Sequence, residues 1–261
     1  MIKKKIHKGI FYNIKLSLTC ARFFQWSKNI FMIPGFALAL TLEKKITADL
    51  FISFLIALIA TGFLASANYS LNELLDKNYD ANHPQKKFRP LARGYNLKKY
   101  IIFQYAIFCL IGLSLSLLLE PMFLMTSLFF LLMGIIYNVK PIRAKEIPYI
   151  DVLVEAINNP IRLILGWASI CTIILPPLSF MVCYWFGGAF LMSMKRFSEY
   201  KFIGDKEIAS KYRKSFKYYN EKNLLLCSFF YALICVFFLA IFTIKYFIEL
   251  IIVFPLISIL F

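Results

Sequence analysis

Apolar runs close to twenty residues long recur along this chain, separated by short polar segments. That length suits helices crossing about 30 Å of hydrocarbon, where a helix satisfies its own backbone groups. The pattern predicts eight spans. They run from about Ile30 to Leu42, Ala48 to Leu71, Tyr100 to Leu119, Met122 to Tyr137, Tyr149 to Ile170, Ile174 to Met194, Asn223 to Ile244, and Tyr246 to the end. Phe23, Phe24 and Trp26 are expected at the entrance of the first span, as part of its helix. Residues 1–28 are basic and partly amphipathic, which suggests an interfacial segment leading into one integral-membrane domain over residues 1–261. The first 22 residues lack the uninterrupted apolar core and small-residue cleavage site of a signal peptide.

Composition agrees with the pattern. Hydrophobic residues make up 60% of the chain, aromatics 18%, and mean hydropathy is +0.69. The expected class is all-α, a polytopic transmembrane helical bundle. Of the six cysteines, five lie in or beside apolar runs and none forms a metal-type pair, so they read as small packing residues.

The net charge of +16 changes the picture once it is placed along the chain. With a cytoplasmic N-terminus, the N-terminal arm and the loops after spans two, four and six hold seven, seven, three and nine Lys and Arg. The opposite side has only Lys44, Lys45 and Lys245, and Arg162 lies inside span five. The positive-inside rule then puts the N-terminus and every polar motif on the cytoplasmic side of the cell membrane. No nucleic-acid partner is needed to explain the high isoelectric point. Orientation, anionic lipid and a phosphate site account for it.

The sharpest chemistry lies at the end of span two. Asn68, Asn72, Asp76 and Asp80 recur every four residues, one helical turn apart on a slowly drifting face. His83-Pro84, Lys86, Arg89-Pro90, Arg93 and Gly94 follow. An oxygen-rich face beside a cationic loop suits a divalent metal holding a phosphorylated ligand, and oxygen-only ligands point to Mg²⁺. In span five, Asp151, Glu155, Asn158 and Arg162 share one face, expected either to line a polar cavity or to tie spans together by ion pairs. Lys195-Arg196-x2-Glu199 ends span six, Tyr137-x2-Lys140 ends span four, and Gln25-Trp26-Ser27-Lys28-Asn29 precedes span one.

Together these segments resemble the UbiA superfamily of intramembrane prenyltransferases. The pattern is closest to its decaprenyl-phosphate phosphoribosyltransferase branch. The resemblance runs collinearly from Arg22 to about Lys222. It rests on Q-W-x-K-N, N-x3-D-x3-D with H-P-x-K-x2-R-P-x3-G, Y-x2-K, D-x10-R-x3-G (Asp151, Arg162, Gly166) and K-R-x2-E. Two departures stand out. The usual Asn-Asp pair is Asn72-Glu73, and the second Asp-rich helix end of the aromatic prenyltransferases is missing after span six. The superfamily usually has nine spans where eight are counted here.

The resemblance implies transfer of 5-phosphoribose from phosphoribosyl pyrophosphate to a membrane polyprenyl phosphate, in cell-envelope biosynthesis. Asn72, Asp76 and Asp80 would hold Mg²⁺ on the diphosphate. Asp76, Asp80, Lys86 and Arg89 would carry the catalysis. Lys28, Asn68, His83, Tyr137, Lys140, Asp151, Arg162, Lys195, Arg196 and Glu199 would line the substrate. A homo-oligomer is compatible with the sequence. The alternatives are an aromatic prenyltransferase using a prenyl diphosphate, and a non-catalytic lipid-binding or transport protein.

Overall fold

The computed structural model describes residues 9–42, 46–171 and 174–249, which form an all-helical bundle. The helices are α1 (Ile10–Cys20), α2 (Ile33–Leu40), α3 (Ala48–Asp80), α4 (Lys98–Ser116), α5 (Pro121–Asn138), α6 (Ile150–Ala156), α7 (Asn158–Trp167), α8 (Leu178–Ile203), α9 (Lys206–Tyr212) and α10 (Glu221–Tyr246). Five of them, α3, α4, α5, α8 and α10, are long and apolar enough to cross a membrane. The protein is therefore a multi-pass membrane protein. Lys3, Lys4, Lys5, Lys8, Lys44, Lys45 and most of the expected eighth span lie outside the described residues.

Two expected spans are composite. The first begins with a 3₁₀ segment, Phe23–Met32, and only then becomes α2, so Phe23, Phe24 and Trp26 precede the α-helix rather than belonging to it. The fifth is broken between α6 and α7 at Ile157. Pro160 explains the break, because its nitrogen has no hydrogen to donate to the carbonyl four residues earlier. The two halves bring different polar residues to different neighbours.

Helix length decides where the polar residues stand. The 33 residues of α3 extend about 50 Å at 1.5 Å per residue, well beyond the hydrocarbon thickness. Its last turns, carrying Asn72, Asp76 and Asp80, therefore project past the apolar layer. The 26-residue α8 does the same with Lys195, Arg196 and Glu199. Gly204, at φ +68°, closes α8 in the left-handed conformation that glycine adopts freely. Asp205 then caps α9, accepting from the amides of Glu207 (2.7 Å) and Ile208 (3.0 Å).

The core sits between α3, α4, α5 and α7, around Ala57, Ala60, Leu64, Phe123, Phe130, Ile161 and Leu165. α10 packs along α8 and shows its other face, including Phe229, Phe230, Leu233 and Phe237, to the outside. α2 and α7 approach backbone to backbone. A Cβ on Gly166 would lie 1.9 Å from the Met32 carbonyl oxygen, and one on Gly35 1.9 Å from that of Leu163. Small residues at such crossings permit close helix packing in membranes. Gly166→Ala is accordingly expected to cost about 1–3 kcal/mol, the usual penalty of overpacking. The check is thermal unfolding of detergent-solubilised protein, and an unchanged melting temperature would contradict the contact.

Candidate functional site

A cavity of about 160 Å³ lies inside the bundle. Its polar lining is Lys28, Asn68, Asn72, Tyr137, Asn138, Glu155, Asn158, Asn159 and Arg162. Phe31, Ala65, Tyr69, Phe130, Gly134, Leu191 and Met192 complete the wall. Five amides and two cations against one carboxylate make a surface that can both donate and accept hydrogen bonds, with a positive bias. Asn68 donates from Nδ2 to the Phe130 carbonyl at 3.2 Å, while its buried Oδ1 has no partner. Arg162 is buried. It donates to Asn29 Oδ1 at 3.4 Å and to the Asn158 carbonyl at 3.2 Å, and among the described residues it has no carboxylate partner.

Beyond the cavity, at the projecting ends of α3 and α8, the charges pair across elements. Arg196 is fully enclosed. It donates to Asp151 Oδ2 (3.2 Å), to Tyr137 Oη (3.1 Å) and, very closely, to Glu155 Oε2, and it lies 3.6 Å from Glu199. Asp151 also accepts from Arg213 (3.2 Å), Ser215 (3.2 Å) and Tyr219 (2.6 Å). The ion pairs of span five therefore run to α8 and the following loop. They do not close internally onto Arg162.

Asp76 is held by Arg143 at 2.9 Å and by Lys145 at 2.5 Å. The Lys145 ammonium also donates to Asn72 Oδ1 at 3.0 Å and Asn138 Oδ1 at 2.7 Å. Burial, opposed by the pull of Asp76, lowers its pKa to about 8. Arg143, at φ +38°, takes a backbone conformation sparse for a side-chain-bearing residue. Its guanidinium is fixed by Asp76, Glu146 and the Asn138 carbonyl. Asp76, Arg143, Lys145, Glu146, Arg213 and Lys214 surround a second, smaller cavity. Asp80, a turn further on, is buried against Arg89 at 2.7 Å.

Several sequence-derived candidates are placed elsewhere than expected. Lys86 contacts Glu199 and Tyr212 and lines neither cavity. Arg89 is held by Asp80 and approaches Glu73 at 3.8 Å. Lys140 is exposed at the end of α5, and Lys145, overlooked as a loop charge, takes the interior position. Arg196 is wholly committed to protein partners. Lys195 stays half exposed beside Glu155 at 3.3 Å. His83 faces inward, with Nδ1 accepting from the amides of Gln85 (3.1 Å) and Lys86 (3.2 Å). It thus shapes the cationic loop as an Asx side chain shapes a turn. Asn138, Arg143, Lys145 and Arg213 were not singled out from sequence. Asn138, adjoining Tyr137 at the end of a span, carried the one signal that could have revealed it.

The matching family model is the UbiA prenyltransferase family, over residues 30–261. The chain belongs to this family. Its fold is that of a UbiA homolog from Archaeoglobus fulgidus bound to GPP and Mg²⁺, at a TM-score of 0.70 and 17% identity, over 94% of this chain and 81% of the other. The same homolog bound to Cd²⁺ matches at a TM-score of 0.70 and 17% identity, over 93% and 84% of the two chains. A sequence relative, the uncharacterized protein y4nM of Sinorhizobium fredii, is 27% identical over 157 residues. That match covers 59% of this chain and 28% of the relative, so the chain matches about a quarter of that protein's length.

Among the described residues no three His, Cys, Asp or Glu side chains converge. Three oxygens do converge, from Asn72, Asp76 and Asn138, around the Lys145 ammonium. Neutral and anionic oxygens in that number fit the partial coordination that Mg²⁺ takes from protein.

Burial, and then Lys86, push the His83 imidazole down to about 4, with Glu199 opposing. Lys86, Arg89, Glu199 and Tyr212 are the ionisable groups facing it. The unfolded chain takes a proton near pH 6.5 and the folded chain does not. His83 therefore contributes full stability above about pH 6.5, lost progressively as the pH falls towards 4. His83→Asn, which keeps a turn acceptor, should flatten thermal stability against pH in that window. An unchanged slope would show that another group titrates there.

Proposed function

We propose that this UbiA-family protein transfers 5-phosphoribose from phosphoribosyl pyrophosphate to a polyprenyl phosphate at the cytoplasmic face of the membrane. The observation that carries this reading is the lining of the central cavity. Asn68, Asn72, Asn138, Asn158 and Asn159 surround it with amides, flanked by Lys28 and Arg162. Amides suit the hydroxyls of a sugar, which both donate and accept, and the cations suit its phosphates. The end of α8 supports the same reading, since it carries Lys195, half exposed beside Glu155 of the cavity wall, and no second aspartate cluster.

In the proposed reaction an anionic oxygen of the lipid phosphate attacks C1 of the ribose. The bond from C1 to the diphosphate oxygen breaks, and diphosphate leaves with the electron pair. Mg²⁺ on Asn72 and Asp76, with Asp80 nearby, would supply positive charge for the departing group. Arg162, steadied by Asn29 and the Asn158 carbonyl, binds a phosphoryl oxygen, and Lys28 binds another. Glu155 is bound by Arg196, Lys195 and Tyr137 and is not a free base. None is needed, because the attacking phosphate is already ionised. The polyprenyl chain would lie in the apolar groove between Trp26, Ile30, Ile33, Leu58 and Ile59, of about 280 Å³. Asn29 lies in that groove and reaches Arg162.

A second reading has its own support: the UbiA homolog was solved with GPP and with DMAPP, each with Mg²⁺. On that reading a prenyl diphosphate is the donor and an aromatic acceptor attacks it. One assay separates the two. Purified protein with Mg²⁺ receives either labelled phosphoribosyl pyrophosphate and polyprenyl phosphate, or labelled prenyl diphosphate and a quinone precursor. Labelled lipid phosphoribose is expected from the first mixture, with at least a hundredfold loss on Asp76→Asn or Arg162→Met. Labelled product from the second mixture alone would favour the prenyl donor. Binding without turnover in both would leave a lipid-binding protein.

A further inference from the structure

Lys145 has an environment that an ordinary surface lysine does not have. Its ammonium is buried and touches three side-chain oxygens from two helices: Asp76 Oδ1 (2.5 Å) and Asn72 Oδ1 (3.0 Å) on α3, and Asn138 Oδ1 (2.7 Å) on α5. Asn138 cannot turn its amide without loss, because its Nδ2 donates to the Gly134 carbonyl at 2.8 Å. Its oxygen is thereby aimed at the shared position. Asn138 is itself buried, and both asparagines lie in the wall of the central cavity. The lysine arrives from outside that wall, on the short turn Ala144–Glu146, which Arg143 anchors to Asp76 and Glu146.

We propose that the Lys145 ammonium is a resident cation in a divalent-metal site formed by Asn72, Asp76 and Asn138, and that the metal binds by displacing it. Asn138 is then a metal ligand that no aspartate motif reveals. The inference rests on the metal half of the proposed function and not on the identity of the transferred sugar. Three oxygens closing on one point, with a half-buried carboxylate among them, are costly to leave without a positive partner. The tethered ammonium keeps them ordered while no metal is present. A bare divalent ion must evict it and leave a second buried cation beside Arg143, which is costly. A metal that arrives carrying a phosphorylated anion offers the released ammonium a new partner. The device therefore favours entry of metal and anionic substrate together over entry of the metal alone.

The test uses the full-length protein in detergent micelles, without substrate. Mn²⁺, an oxygen-preferring divalent ion visible by electron paramagnetic resonance, is titrated at fixed pH. Lys145→Met should tighten Mn²⁺ binding at least about tenfold, within the usual range of coupling between two occupants of one site. Adding Asn138→Leu to Lys145→Met should undo most of that gain. Gel filtration and thermal unfolding confirm that each variant is folded. Should Lys145→Met fail this check, Lys145→Gln is used instead, since its neutral amide still donates to the same oxygens. Unchanged or weaker Mn²⁺ binding in the folded Lys145 variant would overturn the displacement. Equal affinity with and without Asn138→Leu would overturn Asn138 as a ligand. Neither outcome depends on which lipid or sugar the protein turns over, so failure of the transferase assay and failure of this inference are separately visible.

Discussion

A charge drawn into the end of a membrane bundle must find a partner, and Arg196 shows how far this one goes to satisfy that constraint. Its guanidinium is almost fully enclosed, with Asp151, Glu155, Tyr137 and Glu199 around it. Removing either side of such a web leaves a buried charge uncompensated, which typically costs about 3–5 kcal/mol. The web joins α5, α6 and α8, and through Asp151 it reaches Arg213, Ser215 and Tyr219. These contacts hold the loop after α8 over the projecting end of α3.

The same constraint governs the aspartates of α3. Each has a cation supplied by a different loop: Arg143 and Lys145 for Asp76, Arg89 for Asp80. Glu73, one residue after Asn72, turns away to Arg22 and Arg89. The carboxylates are therefore neutralised in place. The central cavity is different. There the amides dominate, and among the described residues no carboxylate pairs with Arg162. Paired charge at the bundle end and amide polarity inside it divide the polar residues into a framework and a cavity lining.

Much was legible in the chain itself. Apolar run length marked the helices, because backbone groups in hydrocarbon have no other partner than the helix. The four-residue spacing from Asn68 to Asp80 set those side chains along one side of α3, because that spacing nearly matches the helical repeat. The prolines and glycines also spoke locally: Pro160 at the break in the fifth span, Gly204 at the end of α8, Gly166 against the Met32 carbonyl just before α2. The family resemblance followed from the same collinear motifs and agrees with the family found over residues 30–261.

What the chain could not decide was partnership. Nothing in the spacing of Lys140, Arg143 and Lys145 says which of three nearby cations faces inward. The turn after α5 decides it, sending Lys145 to Asn138 and leaving Lys140 exposed. Asp151 and Glu155 share a helical repeat with Arg162, yet the break at Ile157 separates them and α8 supplies Arg196 instead. Local sequence determines helices and their faces because those depend on contacts a few residues apart. The pairing of charges depends on which helix ends meet, across separations such as 40 residues for Lys195 and Glu155 and 113 for Lys86 and Glu199, and only the packed bundle brings them together. The stretch from Asn68 to Gly94 is legible in the sequence as a polar helix end and a basic loop. Only the fold brings Asn138 and the Lys145 ammonium onto its Asn72–Asp76 face.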